Sequence, residues 1–276
     1  MIKLRLLLIA SLVLASPALQ ASPIVFSASG PNSAAIQTTV DAFRFALGTL
    51  NPNVAGSFGS GRREINWDGV PNALAAPSNL PANFFNTTSP RGVTFATPGT
   101  GFQVSANAGV APIEFDNLNP TYSSLFTTFS AQRLFTALGS TITDVSFFVP
   151  GSSTPGFTTA FGVVFTDIDL ATSTSLQFFD LKDISLGTFF APSISGNQTL
   201  SFLGVLFNAS ERIGRVRITS GNQILGASET GDLVVMDDFI YAEPRAAVPE
   251  PATSLLMLVP LVALIAGRGR RSQRLS

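Results

Sequence analysis

Carboxylates are the main side chains of this sequence that can do chemistry, because it contains no histidine and no cysteine. Without those residues a Ser-His-Asp triad, a cysteine nucleophile and the usual zinc sites are excluded. Glycoside hydrolysis needs only two well-placed Asp or Glu residues and stays open. The candidate pairs for it are Glu64 with Asp68, and Glu114 with Asp116.

The sole tryptophan, Trp67, lies between two of these acids in residues 62–69. An aromatic ring beside carboxylates in a glycine-rich loop can act as a stacking platform for a sugar. Trp67 is therefore the candidate glycan contact. The alternative is that its buried indole anchors the loop, with the neighbouring acids solvated or paired with Arg62 and Arg63.

Two further acids, Asp167 and Asp169, follow an apolar run. Residues two apart on a strand point the same way, and an oxygen-rich edge of this kind can hold calcium. The segment is not an EF-hand loop, because Ala171 and Thr172 stand where that loop needs an acid or Asn and then Gly. The alternative is a pair of solvated charges at the end of a strand.

Asp237 and Asp238 interrupt the apolar run at residues 234–241. Burying them is costly unless they are hydrogen-bonded, ion-paired or metal-bound. Adjacent strand residues lie on opposite faces, so we expect at most one of them to point into the interior. The run resembles the closing strand of jelly-roll, galactose-binding-like carbohydrate-binding modules. That resemblance implies a structural calcium, and we expect either calcium or a buried hydrogen-bond network here.

The first residues have the layout of a secretory signal, with Lys3 and Arg5 before an apolar run over residues 6–15 and then small residues. The run is shorter than the roughly 20 residues that span a bilayer, which disfavours a permanent anchor. We expect residues 1–21 to be a signal peptide, with cleavage after Ala18.

The last segment, residues 247–276, combines a Pro-Glu-Pro motif, an apolar stretch and a basic cluster in that order. These parts are Pro249, Glu250 and Pro251, then residues 255–266, then Arg268, Arg270, Arg271 and Arg274. The apolar stretch is short and Pro260 interrupts it, whereas the arginines are placed to stop transfer on the cytoplasmic side.

This tail resembles a PEP-CTERM sorting signal. The resemblance implies recognition by an exosortase-type membrane enzyme, transient anchoring in the inner membrane and cleavage near the motif. It also implies release to the cell surface or extracellular matrix of a bacterium that often makes exopolysaccharide. The alternative is an ordinary C-terminal anchor.

The charge of the segment between the two ends differs from that of the whole chain. Six of the sixteen basic residues lie in the terminal segments, so residues 22–248 keep ten basic and sixteen acidic residues, near −6. That sign argues against binding nucleic acid, which depends on clustered Lys and Arg. With no disulfides, the body must be held together by its core alone.

The pattern of apolar residues predicts a mainly β body with one short helix near its start. Residues 22–120 read as loop-rich, with short strands near 92–96 and 102–106. The helix has Asn32 or Ser33 as N-cap, Gly48 as stop, and apolar residues at helical spacing at Ile36, Val40, Phe43 and Leu47.

Residues 121–246 read as an antiparallel, jelly-roll-like β-sandwich, because apolar or β-branched runs alternate there with turn residues. The runs cover residues 142–149, 160–166, 175–179, 187–190, 199–207, 215–219 and 233–241. Val216 and Ile218 alternate with arginines, as a strand with one wet face requires. Residues 161–165 do not alternate and belong in the interior.

Together these patterns predict an exported surface or matrix protein that is not an enzyme and that associates with carbohydrate such as exopolysaccharide. Its acids look scattered along the sequence, and no histidine, thiol or lysine cluster is present to assist them. The alternative is a carboxylate-based glycan-processing enzyme.

Overall fold

The computed structural model describes residues 22–107, 113–208, 211–226 and 231–247, so the predicted signal peptide and sorting tail lie outside the described residues. Within these ranges the chain is mainly β-sheet. The helices are α1 (Ser33–Leu47), α2 (Phe84–Thr87) and α3 (Tyr122–Leu125), with a 3-10 turn at Asn72–Leu74. The strands are β1 (Ile24–Gly30), β2 (Arg62–Ile65), β3 (Val93–Ala96), β4 (Gly101–Val104), β5 (Phe135–Leu138), β6 (Ile142–Phe147), β7 (Gly156–Phe157), β8 (Ala160–Thr166), β9 (Ser175–Asp180), β10 (Ser185–Phe190), β11 (Leu200–Leu206), β12 (Ile213–Thr219), β13 (Val235–Ala242) and β14 (Arg245–Ala246).

The described strands form two main sheets with antiparallel pairing. The first sheet runs β1-β11-β8-β13-β5-β4, and β2 joins it by pairing with β13. The second sheet runs β10-β9-β12-β6-β3, and β14 pairs separately with β7. The predicted antiparallel, mainly β architecture is confirmed.

An apolar core fills the space between the two sheets, as in a β-sandwich. The first sheet contributes residues such as Phe161, Val163 and Phe165, and the second contributes Val216 and Ile218. On β12 the arginines point outward, and Arg215 and Arg217 both bond to Asp144 on the outer face. The predicted alternation on this strand is confirmed.

Helix α1 covers the outer face of the first sheet. Asn32 is its N-cap and accepts a hydrogen bond from the Ala35 N–H, while Gly48 ends it at a φ of 89°. The predicted stripe is the buried one and packs on Ala160, Val164, Leu200, Phe202 and Ile240. Because α1 and the second sheet cover opposite faces of the first sheet, β8 is buried on both faces along its whole length. This explains why apolar and polar residues do not alternate along β8.

Two glycines let α1 approach this sheet closely. Gly162 of β8 and Gly204 of β11 are paired across the ladder, directly under the ring of Phe43. A Cβ atom at either position would come within about 3 Å of that ring, at 2.9 Å for Gly162 and 3.0 Å for Gly204. This close contact fixes the position of α1 on the sheet. It thereby also fixes the position of Arg44, the residue after Phe43.

Residues 22–120, predicted to be loop-rich, and residues 121–246, predicted to form the sandwich, contribute strands to the same two sheets. Strand β1 pairs with β11 and β2 with β13, while β3 pairs with β6 and β4 with β5. Residues 22–120 therefore supply four strands that complete the sheets formed after residue 121. None of the helices in the described ranges is long and apolar enough to cross a membrane.

Candidate functional site

The closing strand β13 changes neighbours halfway along its length. Met236 pairs with Phe135 of β5, whereas residues 239–242 pair with β2. Against β8 the register shifts between Met236 and Phe239, so that β13 carries one extra residue there. Such a β-bulge breaks the ladder and re-aims side chains. Asp237 and Asp238 occupy this bulge.

Both aspartates converge on Ser130, in the segment before β5. The N–H groups of Phe129 and Ser130 donate to Asp237 Oδ2 at 2.6 and 3.2 Å. The Ser130 hydroxyl donates to Asp238 Oδ1 at 2.6 Å and lies 3.4 Å from Asp237 Oδ1. The expectation that the two acids face opposite ways is therefore wrong, because the extra residue of the bulge interrupts the alternation of the strand.

Arg44 of α1 joins this cluster to Glu64 of β2. Its Nε and Nη2 donate to the two oxygens of Glu64 at 3.1 and 2.9 Å, and Nη2 also donates to Asp238 Oδ2 at 3.0 Å. Arg62 Nε donates to Glu64 Oε1 at 2.6 Å. We call Arg44, Glu64, Ser130, Asp237 and Asp238 the bulge cluster. Acids that are scattered along the sequence therefore meet here, because the fold brings distant residues together.

Burial dominates the protonation of the two aspartates. It raises the pKa of Asp237 well above its ordinary value, and the adjacent Asp238 raises it further, against the Phe129 N–H. Burial also raises the pKa of Asp238, although the Ser130 hydroxyl and Arg44 favour its ionised form. Two neighbouring buried carboxyls are costly to ionise together, so the loss of a proton from one raises the pKa of the other.

A polar cavity of about 310 Å³ opens beside the bulge cluster. Its wall combines charged, amide, hydroxyl and apolar side chains: Arg44, Glu64, Arg91, Asp238, Asn53, Asn66, Ser130 and Leu50. We call this cavity the polar pocket. It collects residues from α1, β2, β13 and the loops between them, which sequence spacing does not reveal.

Arg91 differs from the other arginines near this pocket. Its Nη1 donates to Ser89 Oγ at 2.8 Å, and its guanidinium carbon lies 5.0 Å from the centre of the Phe85 ring. Its Nε is buried and finds no hydrogen-bond partner within the described residues. Burial lowers the pKa of Arg91, and the nearby Arg63 lowers it further against the influence of Tyr241.

Trp67, the candidate glycan contact, lies inside the core. Only 1% of its surface is exposed, and its ring stacks on Phe135 with centroids 4.1 Å apart. The indole N–H donates to the Asp237 carbonyl at 2.8 Å. The indole thus has no exposed face in this structure, and it anchors the loop onto β13. This agrees with the alternative interpretation of Trp67 as a buried anchor of its loop.

The bulge cluster does not suit calcium. The carboxylate oxygens of Asp237 and Asp238 already accept hydrogen bonds, and Arg44 would repel a cation at Asp238. A buried hydrogen-bond network, the other expectation for these acids, is what forms. In the described part of the chain, no three His, Cys, Asp or Glu side chains are arranged to hold a metal ion.

Asp167 and Asp169 lie beyond the end of β8, where Asp167 has a φ of 71°. They therefore do not share the strand geometry assumed for them. Asp169 Oδ1 accepts from the Gly196 N–H at 2.9 Å, and Asp232 caps the same turn by accepting from the Asp169 N–H at 2.9 Å. We call Asp167, Asp169 and Asp232 the Asp167 corner.

Asp167 is the strained member of this corner. It is 5% exposed, and within the described residues its Oδ1 finds no hydrogen-bond partner. Burial, followed by the charges of Asp169 and Asp232, raises its pKa to about 7. It is thus not a solvated strand-end charge.

The remaining candidate acids are held in turns. Asp68 Oδ1 accepts from the Gln132 N–H at 2.7 Å, and burial raises the pKa of Asp68. Asp116 Oδ1 accepts from the Ser123 N–H at 3.1 Å. Burial raises the pKa of Glu114 to about 7, with a further contribution from Asp116.

The members of these sites that sequence reasoning missed are Arg44, Arg91, Ser130 and Asp232. One feature of the sequence could have indicated Arg44. It is a charged residue next to the apolar stripe of α1, so it had to lie near the sheet that the stripe covers. The motif residues Pro249, Glu250 and Pro251, and the arginines at 268, 270 and 271, lie outside the described residues. Comparisons with models of known protein families, with curated proteins and with solved structures found no match.

Proposed function

We propose that this chain is an exported, non-catalytic protein whose β-sandwich is displayed at the cell surface or in the extracellular matrix, in association with carbohydrate. One observation supports the non-catalytic role most directly. The acids beside the polar pocket are committed to Arg44, Arg62 and hydrogen-bond donors of the chain itself. A general acid or base must instead be free to exchange a proton with a bound substrate.

Sorting through the tail is supported by the sequence, in which the Pro-Glu-Pro motif, apolar stretch and basic cluster stand in the order of a PEP-CTERM signal. The strands of both sheets fall between residues 24 and 246. Removing the signal peptide and tail would therefore leave every described strand in place. The likeness to jelly-roll modules rests on the sequence of residues 234–241, with two acids inside an apolar run. An exosortase-type enzyme would be the processing partner.

Replacing Pro249, Glu250 and Pro251 together with alanine tests the sorting proposal. We expect the variant to stay full-length in the membrane fraction, whereas the wild-type protein is cut near the motif. Replacing Thr253 and Ser254 with alanine is the matched control and should leave processing unchanged. Mass spectrometry gives the decisive result, because a surface form that retains Arg268 would show that the tail is an ordinary anchor.

The non-catalytic proposal has its own test. The purified protein is incubated with a panel of acidic and neutral polysaccharides, and released reducing ends are measured. We expect no release above the level of heat-treated protein. Release that disappears in Glu64→Gln but persists in Asp183→Asn, an exposed acid that pairs with Arg215 on the second sheet, would establish the glycan-processing alternative instead.

A further inference from the structure

We propose that the polar pocket binds a small monocarboxylate that also carries hydroxyl groups, with Arg91 pairing its carboxylate. The inference goes beyond the surface role proposed above and does not depend on processing of the tail. It rests on the partners of Arg91, on the charge around the pocket, and on the polar groups and size of the pocket.

The pairing of the arginines is the first step. Arg44 and Arg62 both donate to Glu64, and Arg63, which follows Arg62 on β2, donates to Glu243 at 2.8 Å. Arg91 meets no carboxylate within the described residues, and the one hydrogen bond that its guanidinium makes there is to Ser89. A partly buried guanidinium without an acid is costly, and a planar carboxylate is the partner that its fork of N–H groups fits best.

The position of Arg91 is fixed in advance. Its guanidinium lies over the Phe85 ring, Ser89 holds Nη1, and its own carbonyl accepts from the Tyr241 hydroxyl at 3.0 Å. A positioned cation loses little conformational entropy when a ligand binds, which favours binding.

The charge around the pocket favours a ligand with a single negative charge. Arg44 is paired with Asp41, Glu64 and Asp238. Arg62 is paired with Glu64, so Arg91 is the arginine lining the pocket that has no acidic partner within the described residues. A dianion such as phosphate would in addition meet the carboxylates of Glu64 and Asp238 that line the same pocket.

The other lining groups indicate hydroxyls on the ligand. Asn53, Asn66 and Ser130 offer amide and hydroxyl groups that can exchange hydrogen bonds with alcohols, and Leu50 supplies an apolar wall. The volume of about 310 Å³ is at the lower end for ligand pockets, which suits a molecule the size of one sugar acid.

Calorimetric titration of the full-length chain in detergent with galacturonate tests this proposal, with galactose as the uncharged matched probe. We expect saturable binding of galacturonate and none of galactose up to about 50 mM. Arg91→Gln should weaken galacturonate binding by about tenfold or more, because a charge-assisted hydrogen bond is lost. Arg212→Gln removes an arginine outside the pocket and should bind within about twofold of wild type.

Asn53→Asp keeps the proposal testable if Arg91→Gln fails to fold. Asn53 is exposed, so this change is tolerated, and its new carboxylate would compete for Arg91 and weaken binding by about tenfold. Absence of saturable galacturonate binding to the wild-type chain would overturn the proposal. So would equal binding by wild type and a folded Arg91→Gln, or equal affinity for galacturonate and galactose.

Discussion

The bulge cluster and the Asp167 corner both bury aspartates, but they stabilise them in different ways. At the bulge, Asp238 accepts hydrogen bonds from the Ser130 hydroxyl and from Arg44, and Asp237 accepts from two backbone N–H groups. At the corner, Asp167 has other acids as neighbours and one oxygen without a partner. Burial raises the pKa of the aspartates at both places, but only at the bulge does a neighbouring cation favour the ionised form of one of them. The difference teaches that a buried acid can be stabilised by a paired cation or can be left to carry the cost of its ionisation.

The largest effect is expected from removing the cation of the bulge cluster. Arg44→Met would leave Asp238 buried without its guanidinium and Glu64 with Arg62 as its remaining arginine partner, lowering the free energy of unfolding by about 3 kcal/mol. Urea denaturation measures this loss. Arg212→Met, which removes an arginine over the Phe157 ring, is the control and should cost less than about 1 kcal/mol. Equal losses in the two variants would show that Arg44 has no special role.

The two aspartates of the bulge should respond unequally to neutralisation. Asp238→Asn gives up the charge that pairs with Arg44 and should cost about 2 kcal/mol. Asp237→Asn keeps an oxygen for the N–H groups of Phe129 and Ser130, and replaces a carboxyl whose pKa burial already raises, so we expect less than about 1 kcal/mol. Chemical denaturation at pH 7 compares them, and the reverse order would refute the assignment of the charge to Asp238.

The stability contributed by the Asp167 corner should depend on pH, because burial and two neighbouring acids, and no cation of the described residues, set the pKa of Asp167. The folded-state pKa of Asp167 is about 7 against an ordinary value of 3.8, so folding favours its protonated form. Its contribution to stability is full below about pH 4 and is lost as the pH rises to about 7. Asp167→Asn should therefore raise the melting temperature by about 3 °C at pH 8 and change it little at pH 4.5.

Thermal melts of wild type, Asp167→Asn and the exposed-acid control Asp41→Asn across this pH range give the comparison. The difference between Asp167→Asn and wild type should grow with pH, while the control stays parallel to wild type. A difference that is constant with pH would mean that Asp167 does not titrate in this range.

The smallest effect concerns calcium, which stays a prediction for Asp167 and Asp169. Asp167 Oδ1 has a free acceptor site, whereas Asp169 and Asp232 already accept backbone N–H groups. Weak binding to the folded state alone would raise the melting temperature by about 1 to 2 °C at millimolar calcium over chelator. The shift should vanish in Asp167→Asn. A shift that persists in this variant would show that calcium binds elsewhere.

Much of the fold was predictable because local patterns and packing agree. Helix α1 followed from its apolar spacing with Asn32 and Gly48 at its ends, and β8 spans the residues predicted for it. Besides the two-residue strands β7 and β14, the strands that escaped prediction were β1, β2 and β5. These segments lack a distinctive period, and β2 carries two arginines and a glutamate, of which Arg63 is paired with Glu243, 180 positions away.

The candidate site was much less predictable than the fold. Glu64, Asp237 and Asp238 were singled out because charges beside apolar residues are unusual, but nothing in their spacing indicated that Arg44 and Ser130 would bring them together. The bulge decided the outcome, since strict alternation would have separated the two aspartates. Arg91 has no local signature at all, because its lack of an acidic partner is visible only in three dimensions.

The late position of β13 in the chain sets the order in which the molecule can be completed. This strand lies between β8 on one side and β2 and β5 on the other, so it holds together segments that come from both halves of the chain. A polypeptide that emerges from a ribosome or a translocation pore starting at its N-terminus cannot close this sheet until residue 242 is out. Until then Arg44 lacks Asp238, and the edges of β8, β2 and β5 that face β13 remain open to other chains. A factor that shields those edges would therefore be needed until β13, in the last tenth of residues 22–248, has emerged.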